Sequence, residues 1–184
     1  MKQSKTIDNM KPKFLKNPKT DTYNNFKNLV LSNNFSWFRW SKTTEEELEQ
    51  NGHEDYPFLS HRFLTRPLTS CLYSQVNSEY VQPMQQVFRE IADFNKLNPQ
   101  IIYRMNANAV YPTEKNLPSP VHVDHIFPHK NMIIYLTDPY GGSTIVDGKE
   151  YLAKEDEVLV FDGKPHCAKP PSKDIRIVLV ITFT

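Results

Sequence analysis

After Pro99 the chain becomes a close succession of short strand-like segments, and few folds accept that pattern. The segments are Ile101 to Tyr111, Val121 to Ile126, Asn131 to Leu136, Ser143 to Val146, Lys149 to Ala153, Glu157 to Phe161, His166 to Ala168 and Ile175 to Phe183. Turn chemistry separates several of them, in Leu117-Pro118-Ser119-Pro120, Asp138-Pro139-Tyr140-Gly141-Gly142, Asp147-Gly148 and Asp162-Gly163. One strong helix signal precedes them. Within Ser78 to Leu97, Val81, Met84, Phe88, Ile91 and Phe94 recur at three- and four-residue steps, a stripe suited to packing on a sheet. Pro83 falls in the first turn, where a missing N–H costs little, and Asn98-Pro99 stops the helix. This order predicts a mainly β, α+β chain whose strands form a jelly roll, two sheets closing around a pocket.

Length and charge restrict the organisation further. A chain of 184 residues fits one compact domain, and 39% hydrophobic residues supply a core. Residues 1–22 are Lys-, Asn- and Pro-containing without apolar period and read as a loose basic arm ahead of a single domain over 23–184. The β core of that domain covers about 101–184. Asn25 to Leu31 suggests a short helix, and Phe35 to Trp40 partly alternates like a strand. Phe58 to Arg66 shows no clear period. An acidic stretch from Glu45 to Asp55 and the early lysines read as solvated surface. The net charge of +1 offers no global field for a nucleic-acid partner. The two cysteines, Cys71 and Cys167, form no disulfide framework. They fit a reducing compartment. No run has signal-peptide or membrane-span character. The expected setting is cytoplasmic; the Lys- and Asn-rich composition with only five glycines suits a virus-infected host cell or an AT-rich microbe. Oligomeric state is not readable.

Chemistry concentrates in His122-Val123-Asp124, His166 and Arg176. On a strand, residues two apart share a face, so His122 and Asp124 project together. His166 arrives from a later strand. Two imidazoles and a carboxylate on one face of a cation, with the other positions open, are the ligand set of a non-haem Fe(II) site. Arg176 lies in the apolar run Ile175 to Ile181, where a lone charge is costly to bury. A bidentate clamp on a ligand carboxylate would partner it; a salt bridge to Asp174 or Glu157 is the plain alternative. Tyr135 and Tyr111 are candidates for hydrogen bonds to the same anion, with aromatic packing the alternative for each. Asn106 and Asn108 are candidates to face the pocket. His125 and His129 read as pocket-rim residues at most, His53 and His61 as surface residues, and Cys167 as packing.

With these residues placed, the second half resembles the 2-oxoglutarate- and Fe(II)-dependent dioxygenases, in particular the prolyl-hydroxylase-like branch. The matching text is His122-Val123-Asp124, Ile133 to Thr137, Gly141 to Thr144, Val158 to Phe161, Pro165-His166 and Arg176 to Phe183. The resemblance implies a double-stranded β-helix of cupin-like type, with His122, Asp124 and His166 on Fe(II) and Arg176 on the distal carboxylate of 2-oxoglutarate. It implies that Tyr135, and less directly Tyr111, contacts that co-substrate. The implied reaction uses O2, releases succinate and CO2 and hydroxylates a C–H bond of a peptidyl prolyl residue or of a small molecule; ascorbate is an accessory reductant the resemblance allows. Collagen-type relatives usually carry Lys where Arg176 stands. The nucleic-acid-demethylating branch carries a second Arg shortly afterwards, which Thr182-Phe183-Thr184 lacks. A rival reading keeps the metal but not the reaction: a cupin-like barrel that is non-catalytic or differently active and has no need of Arg176.

Overall fold

The computed structural model describes residues 10–41, 57–67 and 73–184. His53, Cys71, the acidic stretch and the first nine residues of the arm lie outside them. The elements run β1 (Lys13–Leu15), α1 (Asp21–Leu31), β2 (Phe38–Trp40), β3 (Phe58–Thr65), β4 (Gln75–Val76) and α2 (Val81–Phe94). They continue as β5 (Ile102–Val110), β6 (Lys130–Tyr135), β7 (Ser143–Val146), β8 (Lys149–Tyr151), β9 (Val158–Asp162), β10 (His166–Lys169) and β11 (Arg176–Phe183). All strand pairs are antiparallel. The larger sheet has the order β1-β9-β6-β11-β5-β3-β2, with β4 added beside β3, and the smaller has the order β10-β7-β8. A bridge between His122 and His166 places the segment around His122 beside β10, so the smaller sheet gains a fourth, very short member.

The alternation of β5 and β11 sorts their side chains onto two faces. Met105, Ala107, Ala109, Ile177, Leu179, Ile181 and Phe183 turn to one face and pack with the helices. The α2 stripe meets them through Met84, Val87, Phe88 and Ile91, all fully buried; each such side chain contributes about 1.5–3 kcal/mol. The opposite face carries Ile133, Tyr135, Leu159, Phe161 and Val178, which pack with Val146 of the smaller sheet. The two sheets thus enclose a second interior, and the polar residues Arg104, Asn108 and Arg176 face into it beside Val178 and Val180.

Several expectations change. From Met10 onward the presumed arm is docked. β1 pairs with β9 at the sheet edge, and the Met10 amide donates to Asp162 at 2.5 Å. Helix α1 begins at Asp21, four residues earlier than its apolar pattern, because the Thr20 side chain caps it by accepting from the Tyr23 amide. Asp156 anchors α1 at the barrel: it accepts from Tyr23 Oη at 2.6 Å and pairs with Lys27 at 2.5 Å and Lys19 at 2.8 Å. Phe58 to Thr65, with no readable period, is an eight-residue strand paired to β5. His61 on that strand is buried, not on the surface; its ring bonds Ser36 O at 2.7 Å and Ser78 Oγ at 2.8 Å amid Phe35 and Phe63.

Candidate metal centre

Val121 to Ile126 is not the expected strand. It pairs with β10 only through His122, whose N–H donates to His166 O at 3.0 Å and whose O accepts from the His166 N–H at 2.9 Å. Pro120 and Pro128 flank the segment and supply no donors to a longer ladder. Two arginines hold the next residues instead. Arg66 Nη1 donates to the Asp124 carbonyl at 3.1 Å, and Arg104 Nη1 forms an ion pair with Asp124 Oδ1. Asn106 steadies Arg104 in turn: with its amide oxygen toward the guanidinium, it accepts from Nε at 3.1 Å and Nη2 at 2.8 Å.

One ligand atom from each of His122, Asp124 and His166 lies within 4.8 Å of the others. The two rings are 4.5 Å apart, and His166 Nε2 is 3.4 Å from Asp124 Oδ2. His122 Nδ1 donates to Pro120 O at 3.1 Å and His166 Nδ1 to Lys164 O at 2.9 Å. Because carbonyls only accept, these bonds fix the Nδ1–H tautomer and leave each Nε2 with its lone pair. This is the arrangement that a metal-binding imidazole requires. Asp124 Oδ2 is buried and accepts no hydrogen bond. A buried carboxylate oxygen without a donor is costly unless a cation takes it, so the three residues fit a divalent metal. Burial opposes charge on Asp124, but Arg104, His166 and His122 outweigh it and hold the carboxyl far below the usual range. Burial, reinforced by repulsion from His166, lowers His122 to about 4, so its ring is neutral near pH 7.

Arg176 opens onto the same cavity, a space of about 90 Å³ also lined by His122, Asp124, His166 and Thr144. Arg176 is 2% exposed, and its Nη2 donates to Thr144 Oγ1 at 3.0 Å. Its Nε has no acceptor. The alternative ion pairs do not form: Asp174 Oδ1 accepts from the Ile175 amide and Glu157 Oε2 from the Lys154 amide. No carboxylate among the described residues pairs with Arg176. Tyr135 is fully buried behind it. Its ring centre is 5.2 Å from the guanidinium carbon, and its hydroxyl lies 2.7 Å from Thr144 Oγ1. Tyr135 therefore reaches the cavity at one remove, through Thr144, a residue the sequence reasoning did not assign. Its signal was its place in the Gly141-to-Thr144 text. Tyr111 is 51% exposed and is not brought to the site. Asn108 does face the cavity, accepting from Ser60 Oγ at 2.7 Å.

His125 and His129 are not at the rim. Both are buried away from the cavity, in edge contact with each other; His125 Nε2 bonds Thr182 Oγ1 at 2.7 Å, and His129 Nδ1 donates to Phe127 O at 2.8 Å. Cys167 is buried, as packing requires, and part of it also lines the cavity.

No protein-family model matches the sequence, and no curated protein matches it. Solved structures do. An oxidoreductase of the 2OG-Fe(II) oxygenase family from Burkholderia pseudomallei superposes with a TM-score of 0.60 at 14% identity, covering 74% of this chain and 70% of that one. A Pseudomonas putida prolyl-4-hydroxylase gives 0.44 at 16% identity over 78% of this chain and 75% of that one. A Trichoplax adhaerens prolyl hydroxylase in complex with a hypoxia inducible factor fragment gives 0.44 at 14% identity, over 66% and 70%. The fold assignment rests on the first alone. The chain shares the double-stranded β-helix fold of that first structure, and it brings together a His-x-Asp…His triad.

Proposed function

We propose that this chain is an Fe(II)- and 2-oxoglutarate-dependent oxygenase that hydroxylates a C–H bond of a peptidyl side chain or small molecule. The observation that carries this is the pairing, in one cavity, of a donor-less Asp124 Oδ2 beside two lone-pair Nε2 atoms with a buried Arg176 that has no carboxylate partner among the described residues. His122, Asp124 and His166 would hold the iron. Arg176 and Thr144 would receive the distal carboxylate of 2-oxoglutarate. Bound Fe(II) would supply O2 activation coupled to decarboxylation of the keto acid, yielding succinate and CO2. The protein's own part is to fix three ligands, neutralise an anion and exclude water. Val178, Val180 and Ile133 give the cavity dry walls. A volume of about 90 Å³ suits a small keto acid, so the larger substrate would meet the site from its mouth. The rival cupin-like barrel predicts no use for Arg176.

The test is anaerobic addition of Fe(II) and 2-oxoglutarate, which should give a weak visible charge-transfer band. Succinate release should follow in air against peptide and metabolite pools, with product mass raised by one oxygen. Absence of the band, with His122→Ala indistinguishable from wild type, would remove the metal assignment. Equal 2-oxoglutarate affinity in wild type and Arg176→Ala would favour the cupin-like reading.

A further inference from the structure

The carboxylate of the triad has one oxygen engaged and one open. Arg104 Nη1 occupies Asp124 Oδ1, whereas Oδ2 has no donor and lies 3.4 Å from His166 Nε2. Arg104 is not a surface side chain that happens to reach this carboxylate. It projects from β5 into the cavity, its side chain is 12% exposed, and the Asn106 amide oxygen, turned toward it, accepts from its Nε and Nη2. The segment carrying Asp124 makes no ladder of its own past His122, so these bonds decide how the carboxylate is turned.

From this geometry we infer that Arg104 is a positioning residue: it restricts Asp124 to a single metal-facing oxygen and so keeps a coordination position open for the keto acid. The inference rests on the reading of the triad as a metal site. Two consequences have opposite signs. Without Arg104, Oδ1 is free to turn to the metal, and a cation beside the metal is gone; both changes favour metal binding. The same two changes work against 2-oxoglutarate, because a second carboxylate oxygen would compete for its position and the cavity would lose positive charge. Damage to the fold, by contrast, would weaken both ligands together.

The experiment uses Co(II) as the metal, in wild type, Arg104→Met and Arg104→Gln, without O2. Titrations give the Co(II) and 2-oxoglutarate affinities, and the d–d spectrum reports coordination. In the variants the expected result is Co(II) affinity equal to or tighter than wild type, an altered d–d spectrum and 2-oxoglutarate binding about tenfold weaker. An unchanged spectrum with unchanged 2-oxoglutarate affinity would overturn the role of Arg104 and leave the metal site standing. Parallel weakening of both ligands would also overturn it, as would failure of both variants to fold by circular dichroism, since Arg104 would then be a structural anchor. If wild type takes up no Co(II), the metal reading itself falls, and this inference with it.

Discussion

Replacing Arg176 by Met should separate the cost of a buried charge from its use. Arg176 is 2% exposed, and its guanidinium donates once to Thr144 and leaves Nε without an acceptor among the described residues. Removing the unsatisfied group recovers about 1–3 kcal/mol, and losing the charged hydrogen bond to Thr144 costs about 1.5–3 kcal/mol. The two offset, so the ligand-free melting temperature should stay within about 4 °C of wild type. Ligand response should differ sharply. With Mn(II) bound and 2-oxoglutarate at a hundredfold over its Kd, wild type gains about 2.7 kcal/mol. For a chain of this size that is roughly 5–10 °C. Truncating one partner of a buried charge pair costs about 2–5 kcal/mol, a roughly thirty- to several-thousandfold loss of affinity. At the same concentration the variant then retains less than about 1 kcal/mol of stabilisation.

Thermal melts of both proteins, each with Mn(II) alone and with Mn(II) plus 2-oxoglutarate, decide the point. An equal 2-oxoglutarate shift in both would refute the assignment of Arg176 to the carboxylate. A fall of more than about 10 °C in the ligand-free variant would show that the guanidinium stabilises the fold through a partner absent from the described residues.

Three further outcomes follow from the packing. In metal-free protein, burial lowers His122 from its ordinary 6.5 to about 4, so the unfolded chain binds the proton first as pH falls. Stability should be full above pH 6.5 and decline as pH drops toward 4, by about 3 kcal/mol, in urea titrations across pH; a flat profile would contradict the buried neutral ring. Asp156→Asn should lower unfolding free energy by about 2 kcal/mol: burial resists the charge on Asp156, but Lys19, Lys27 and Tyr23 hold its carboxyl at about 2. That contribution is present above the ordinary carboxyl pKa and lost as pH falls through about 2, so wild type and variant should converge in acid. Gly163→Ala should destabilise by about 1–3 kcal/mol in the same assay, because its Cβ would stand 2.3 Å from His129 Cε1; a neutral result would mean that the His129 ring can yield.

The barrel strands were legible because local chemistry and global pairing agree there. Asp147 and Gly148 both adopt positive φ, at 50° and 75°, as a two-residue hairpin between β7 and β8 demands. The α2 stripe meets the face of β5 and β11 that alternation assigns to it. The N-terminal strands were not legible. Three residues at Lys13–Leu15 carry no period, and their partner Val158–Val160 lies some 145 residues away in sequence. Phe58–Thr65 mixes Ser60, His61 and Arg62 with apolar residues because both faces of that strand are occupied, one by Asn108 and the cavity, the other by Phe35, which packs on His61 and Phe63. The opposite error came at Val121–Ile126, where alternation suggests a strand but flanking prolines deny it a ladder.

That error bears on the site itself. His122, Asp124 and His166 do converge, but not because a strand places His122 and Asp124 on one face. His122 is held by its two bonds to His166, and Asp124 by Arg66 and Arg104, from parts of the chain some 58 and 20 residues away. Sequence spacing named the groups that would touch the ligands because that chemistry needs particular side chains at short range. It did not name Thr144 or Arg104, and it left Asn106 without an assigned role, because these roles come from which strand lies opposite which. A motif that survives without its expected strand is one whose geometry has passed to these partners. Substitutions at Arg104 and Thr144 should therefore perturb the site as directly as substitutions within His122-Val123-Asp124.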